Sequence, residues 1–213
     1  MRYATWAIVA FVTLLRAVAA AKVPLTGDEA YYWEWSKHLA LGYADHPPMV
    51  AYLIAPFSWS TENPILIRLG FLLCGVVATL AAAAAAKRLT GDERAGMVTA
   101  LAMTLAPMLS VGFVIATPDG PLMAGWALCL YLVVRASQTH ARRDYVLLGL
   151  ALAFAVLSKM FAWALIAGVL AWSLAPRRRA LWRDGASAHA TIPATSAYAN
   201  IFESSAKASA NPS

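Results

Sequence analysis

Four short stretches of this chain hold side chains whose types and spacing can do chemistry. The first reads Leu25-Thr26-Gly27-Asp28-Glu29-Ala30-Tyr31-Tyr32-Trp33-Glu34-Trp35. Asp28 emerges a few residues after an apolar run, at the depth of a lipid head group, where a carboxylate can take a proton from an acceptor hydroxyl as general base. Thr26 and Glu29 also have the spacing of a capping box. Asp28 and Glu29 then fall in a first helical turn, where the helix dipole favours negative charge. On spacing alone, catalysis and simple capping both stay open. The second stretch, Gly42-Tyr43-Ala44-Asp45-His46-Pro47-Pro48, puts an acid beside a histidine, with His38 upstream. A metal site needs several converging nitrogen or oxygen ligands. Asp45, His46 and His38 are candidate ligands, although their spacing matches no zinc motif, and the alternative is a polar loop stiffened by two prolines. The third is Thr117-Pro118-Asp119-Gly120-Pro121. Asp119 is either an ordinary turn aspartate or a second carboxylate reaching the cavity of Asp28. The fourth is Ser158-Lys159, an ionisable residue inside a long apolar run, which marks either a cavity-facing functional group or a lysine snorkelling at a helix end. Arg16 and Arg68 stand near the ends of apolar runs, where forked guanidinium donors can grip a phosphate. Tyr31, Tyr32, Trp33 and Trp35 suit a membrane-interface belt, and Tyr32 is a candidate ring for stacking on a sugar.

The elements that must hold these residues follow from composition. Of 213 residues, 61% are apolar and 13% charged, with a mean hydropathy of +0.60. Soluble domains run at about 45–50% apolar and about 25% charged, so a soluble enzyme, a disordered chain and a disulfide scaffold are excluded. What remains is an all-α polytopic transmembrane bundle. The net charge of +6 and pI near 9.5 come from short basic runs between apolar stretches. That is the pattern of cytoplasmic loops, and it points to no nucleic acid. Cys74 and Cys129 lie inside apolar runs and are read as neither a disulfide nor a metal site. About six spans are expected: 3–21, 64–86, 95–116, 121–136, and two short helices either side of Ser158-Lys159 within 145–175. Arg16 interrupts the first run, so it is read as a span and not as a cleaved signal peptide. The stretch 22–63 is a long amphipathic loop with an interfacial helix over about 29–39. Lysine and arginine counts put the N-terminus in the cytoplasm and the long loop, the Asp119 turn and Lys159 on the outer side. Residues 1–183 form the membrane module. Residues 184–213, rich in Ala, Ser, Thr and Asn, read as a disordered tail.

The stretches Thr26-Gly27-Asp28-Glu29-Ala30-Tyr31-Tyr32 and Tyr43-Ala44-Asp45-His46-Pro47-Pro48 resemble the first outer loop of the family 39 membrane glycosyltransferases, which include protein O-mannosyltransferases and the aminoarabinose transferases of lipid A. Ala116-Thr117-Pro118-Asp119 and Leu157-Ser158-Lys159 resemble further marks of that family, in the same order, across about residues 4–183. The resemblance implies a GT-C fold. It also implies transfer of a sugar from a polyprenyl-phosphate donor to a lipid or protein acceptor on the outer face of a bacterial inner membrane, with no nucleotide and no required cofactor. By carry-over, Asp28 and Asp119 are the essential acids and Glu29 is associated with them. On charge and depth more than on motif, Lys159, Arg68 and Arg16 are expected as donor-phosphate contacts, and Tyr32, Asp45 and His46 are candidates to line the substrate site. Relatives use a loop acid and a histidine for a structural zinc. This chain reads Asp45-His46-Pro47 there, a departure that leaves a divalent metal without an evident ligand match.

Family members are usually longer, so a truncated or frameshifted end is expected, with the acidic half of the site present and part of the substrate cavity absent. The competing readings are a transporter or flippase segment with an acid–lysine path and a non-catalytic membrane scaffold. A transporter predicts paired interrupted repeats, and no internal repeat is evident. The sequence leaves the sugar, the acceptor and the oligomeric state open.

Overall fold

The computed structural model describes residues 2–174, with the side chain of Arg2 left aside. The chain divides into two compact units, Met1–Ala171 and Trp172–Ser213, and the account below is of the first. The tail over 184–213 and the basic cluster Arg177–Arg179 with Arg183 lie outside the described residues. Among the described residues every regular element is a helix, and the helices form a membrane bundle.

Helix α1 spans Arg2–Lys22. A short helix, α2 (Gly27–Lys37), follows, and then α3 (Met49–Ser58), which the paired prolines turn back toward the bundle. Helix α4, Pro64–Thr90, starts on an Asn63 side chain that accepts from the Ile65 N–H at 3.2 Å, with proline at the first position where its missing donor costs nothing. Helices α5 (Glu93–Leu105) and α6 (Pro107–Gly112) come next, followed by α7 (Asp119–Thr139), α8 (Arg142–Ser158) and α9 (Ala162–Leu174). Three helical stretches, Tyr3–Lys22, Pro64–Thr90 and Asp119–Thr139, are long and apolar enough to cross a membrane. Met49–Ser58 and Ala162–Leu174 are shorter apolar helices.

One element departs from expectation. The third span, read as one helix over 95–116, is broken at Ala106 into α5 and α6. Pro107 removes a backbone donor, and the residue before a proline is driven out of the helical region, as the extended Ala106 shows (φ −71°, ψ 111°). The interruption expected at Ser158-Lys159 is present, with Lys159 extended between α8 and α9.

Helix α4 is the axis of the bundle. It packs against α7, α5, α1 and α3, and α7 packs in turn against α8. One apolar cluster near the first loop joins Tyr32 and Trp35 of α2 to Val50 and Ile54 of α3, Ile67 and Phe71 of α4, and Ala116. A second cluster, with Cys74, Ala78, Phe113 and Ala124, lies farther down α4 and α7. The first loop is therefore built onto the bundle through its own core, and its polar residues take fixed places.

Candidate active site

Glu29 organises the site. Thr26 and Glu29 form the expected capping box: the Thr26 hydroxyl accepts from the Glu29 N–H at 3.3 Å, and the Thr26 N–H donates to Glu29 Oε2 at 3.0 Å. The rest of the Glu29 carboxylate does more than cap. Arg68 of α4 donates from Nε to Oε1 at 2.7 Å and from Nη2 to Oε2 at 2.6 Å, and the Ala116 N–H donates to Oε1 at 2.8 Å. A carboxylate offers about four acceptor positions, and all are taken in a side chain with no exposed surface. Burial alone would push its carboxyl upward. The Arg68 bonds, with those of Ala116 and Thr26, outweigh burial and hold it below the usual range.

Arg68 is equally committed. Its Nη1 donates to the Ala20 and Val23 carbonyls, both at 2.8 Å, and its Nη2 also to the Pro24 carbonyl at 3.0 Å. With the two bonds to Glu29, all five guanidinium donors are used. The expected role of Arg68 as a phosphate contact does not fit this geometry, and neither does a proton-accepting role for Glu29. Together they tie the end of α1, the start of α2, α4 and the backbone ahead of Asp119 into one joint. The capping spacing signalled Glu29. Nothing local signalled that its partner lies on a helix beginning at Pro64.

Two further carboxylates stand beside that joint. Asp28, beside Glu29 at the start of α2, is exposed and makes no hydrogen bond or ion pair with a described residue. Asp119 opens α7, three residues after the Ala116 N–H that Glu29 holds. Lys159, in the break between α8 and α9, donates to Asp119 Oδ1 at 2.7 Å; the two side chains are 22% and 43% exposed, so solvent still reaches the pair. Tyr32 of α2 is buried. Burial raises its pKa most, and the fields of Asp28, Asp119 and Asp45 raise it further. The fields of carboxylates from the first loop and from the start of α7 thus both bear on the Tyr32 hydroxyl.

The rim of the site is aromatic. Tyr31 donates to Asp45 Oδ2 at 3.0 Å. Trp35 stacks on Tyr43 with ring centroids 4.2 Å apart and planes 5° apart, which pins the second polar stretch to α2. His46 meets Tyr32 edge-on at 6.1 Å, and its Nδ1 is buried without a hydrogen-bond partner. The metal candidates fit poorly. His38 is turned to Glu34 at 3.8 Å, Asp45 is engaged by Tyr31, and among the described residues no three His, Cys, Asp or Glu side chains are grouped to hold an ion.

Arg16 does not join the other cations. It contacts Ser110 and Phe113 and lies under Gly75 of α4. Gly75 is seven residues beyond Arg68, about 10 Å farther along the helix axis at 1.5 Å per residue. Of the three cations expected to converge, Arg68 is buried against Glu29, Lys159 is paired with the solvent-reached Asp119, and Arg16 bonds Ser110 instead of an acid.

The family model described as dolichyl-phosphate-mannose-protein mannosyltransferase matches residues 45–195. Among curated proteins, the chain is similar to lipid A galacturonosyltransferase RgtD of Rhizobium johnstonii, with 35% identity over 134 residues. That stretch covers 62% of this chain and 28% of the relative, so this chain spans little more than a quarter of the relative's length. No solved structure matches the chain. Asp119 and Lys159 fall inside the family match, whereas Asp28 and Glu29 precede it.

Proposed function

We propose a function from one premise: the chain belongs to the dolichyl-phosphate-mannose-protein mannosyltransferase family, membrane glycosyltransferases of the GT-C type. On our reading it takes part in moving a sugar from a polyprenyl-phosphate donor to a lipid or protein acceptor. The N-terminus is cytoplasmic and the site opens on the outer face of a bacterial inner membrane. The single observation that carries this reading is the 2.7 Å pair of Lys159 with Asp119, a carboxylate that follows the connection held at Ala116 by Glu29, the neighbour of Asp28. The galacturonosyltransferase name of the relative favours a lipid acceptor.

The chemistry asks little of the protein beyond placement. The acceptor hydroxyl attacks the anomeric carbon of the donor as the bond from that carbon to the phosphate oxygen breaks. The leaving group is the lipid phosphate, and its developing charge is stabilised by a cation already in place. Lys159 is that cation, within reach of solvent and held by Asp119 until a phosphate competes for it. Asp28, free of protein partners, orients the acceptor hydroxyl and takes its proton. His46, half-buried and edge-on to Tyr32, lines the sugar. No step needs a metal.

Donor binding tests the reading without requiring turnover. The chain in liposomes is irradiated with a short-chain polyprenyl-phosphate sugar bearing a photoreactive group, and labelled peptides are mapped by mass spectrometry. Labelling is expected on residues 28–46 and around Asp119, competed by unlabelled polyprenyl phosphate. Lys159→Met is expected to weaken binding about tenfold or more, since a hydrogen bond to a charged group is worth about 1.5–3 kcal/mol. Labelling confined to the opposite end of the bundle, or indifferent to Lys159, overturns the proposal.

A further inference from the structure

Arg16 lies inside the first apolar helix and is only 7% exposed. It makes no ion pair with any described residue. Its Nε is buried without a partner, and its one hydrogen bond runs from Nη2 to the Ser110 hydroxyl at 3.5 Å. A charge held that way in a membrane helix is costly, and such a residue is retained only where it does something. Its surroundings are the broken third span. Ser110 in α6 donates across the break to the Thr104 carbonyl of α5 at 2.7 Å. The guanidinium lies over the fully buried Phe113 ring, 5.3 Å from its centroid. Gly75 makes the room: a Cβ there would stand 3.0 Å from Phe113 Cβ and 3.2 Å from Arg16 Nη1.

We propose that Arg16 is a positioning residue that pins the broken helix beneath the Asp119 turn through Ser110 and Phe113. The connection from Phe113 to Pro118 is then held at two ends, by Arg16 below and by the Glu29 bond to the Ala116 N–H above. Asp119, the next residue, is delivered to Lys159. Either pin alone leaves the other end of the connection free to move, so the reach of Asp119 depends on both. This inference rests on the reading of Asp119 and Lys159 as the reacting site, and its test separates the two.

The readout is the rate at which Lys159 is acylated by an amine-reactive reagent in the detergent-solubilised chain, followed by mass spectrometry, with Lys22 and Lys37 as internal references. Asp119→Asn removes the partner of Lys159 and is expected to raise its labelling rate. Arg16→Met, which keeps length and apolar bulk, is expected to raise it about fivefold, the shift that loss of one ordinary hydrogen bond gives, with Lys22 and Lys37 unchanged. Arg16→Met at the wild-type rate, with Asp119→Asn raised, overturns the positioning role and leaves the site intact. Asp119→Asn at the wild-type rate overturns the ion pair itself, and the functional reading with it. If Arg16→Met raises all three lysines, the fold has loosened and Ser110→Ala decides: a rise confined to Lys159 supports the pin, and no rise overturns it.

Discussion

Five N–H groups of Arg68 meet five oxygens, and four of the acceptor positions on Glu29 are filled, in a place with no exposed surface for either side chain. Removing one partner strands a buried charge, which costs about 3–5 kcal/mol. Arg68→Met is therefore expected to lower the thermal midpoint of the bundle sharply, whereas Asp28→Asn, an exposed acid without a protein partner, is expected to leave it unchanged; both are read by thermal unfolding in detergent. The pair also sets an acid limit. The Glu29 carboxyl is held below its ordinary value when folded, so its contribution to stability is complete above the unfolded value of about 4.3. It is lost as pH falls through the lower, folded value. Wild type is expected to lose stability on that acid limb, and Glu29→Gln, already weaker at neutral pH, is expected to show a flatter one. Equal acid slopes in the two proteins would contradict the assignment. The capping box made half of this joint readable, because Thr26 and Glu29 are three residues apart. The other half depends on an arginine in a different helix, and no local spacing encodes that pairing.

Among the elements, the strongest signals in the chain were proline and the apolar runs. The start of α4 at Pro64, the start of α7 near Pro118 and the interruption at Lys159 were all legible, because proline and a charge inside an apolar run each have one dominant local effect. The break at Ala106 was missed although Pro107 marks it, since the apolar run passes through it without a change in composition. The close contact of α7 with α8 was also hidden. A Cβ added at Gly125 would stand 2.8 Å from Ala155 Cβ, 3.0 Å from its Cα and 3.2 Å from its backbone nitrogen. Two of those three atoms are backbone and cannot swing aside, and small residues are how membrane helices approach so closely. Gly125→Ala is expected to destabilise the bundle by about 1–3 kcal/mol, read as a lower thermal midpoint, while Gly149→Ala, which faces open space, is expected to have little effect. Similar losses from both substitutions would contradict the packing of α7 on α8.

At the scale of the whole molecule, charge is divided between two ends. Arg135 with Asp144, Lys87 with Glu93, and Arg88 with Gln138 occupy one end of the long helices. Asp28, Asp45, Asp119, Lys159 and the Glu29–Arg68 joint occupy the other. The sequence predicted this division from its basic loops, and the family match and the relative's name agree with a membrane glycosyltransferase. What the sequence could not supply was which acid, if any, each cation takes, since Arg16, Arg68 and Lys159 look alike until the helices are packed. The account rests on Asp28 and Asp119 sharing one rim. It is tested most directly by cross-linking a variant in which both become cysteine and native Cys74 and Cys129 become serine, using a bifunctional maleimide no longer than a sugar ring. The account predicts a rapid intramolecular cross-link for Asp28→Cys/Asp119→Cys and none for Asp28→Cys/Asp92→Cys. Failure of the first pair to cross-link, with both thiols singly reactive, would contradict it.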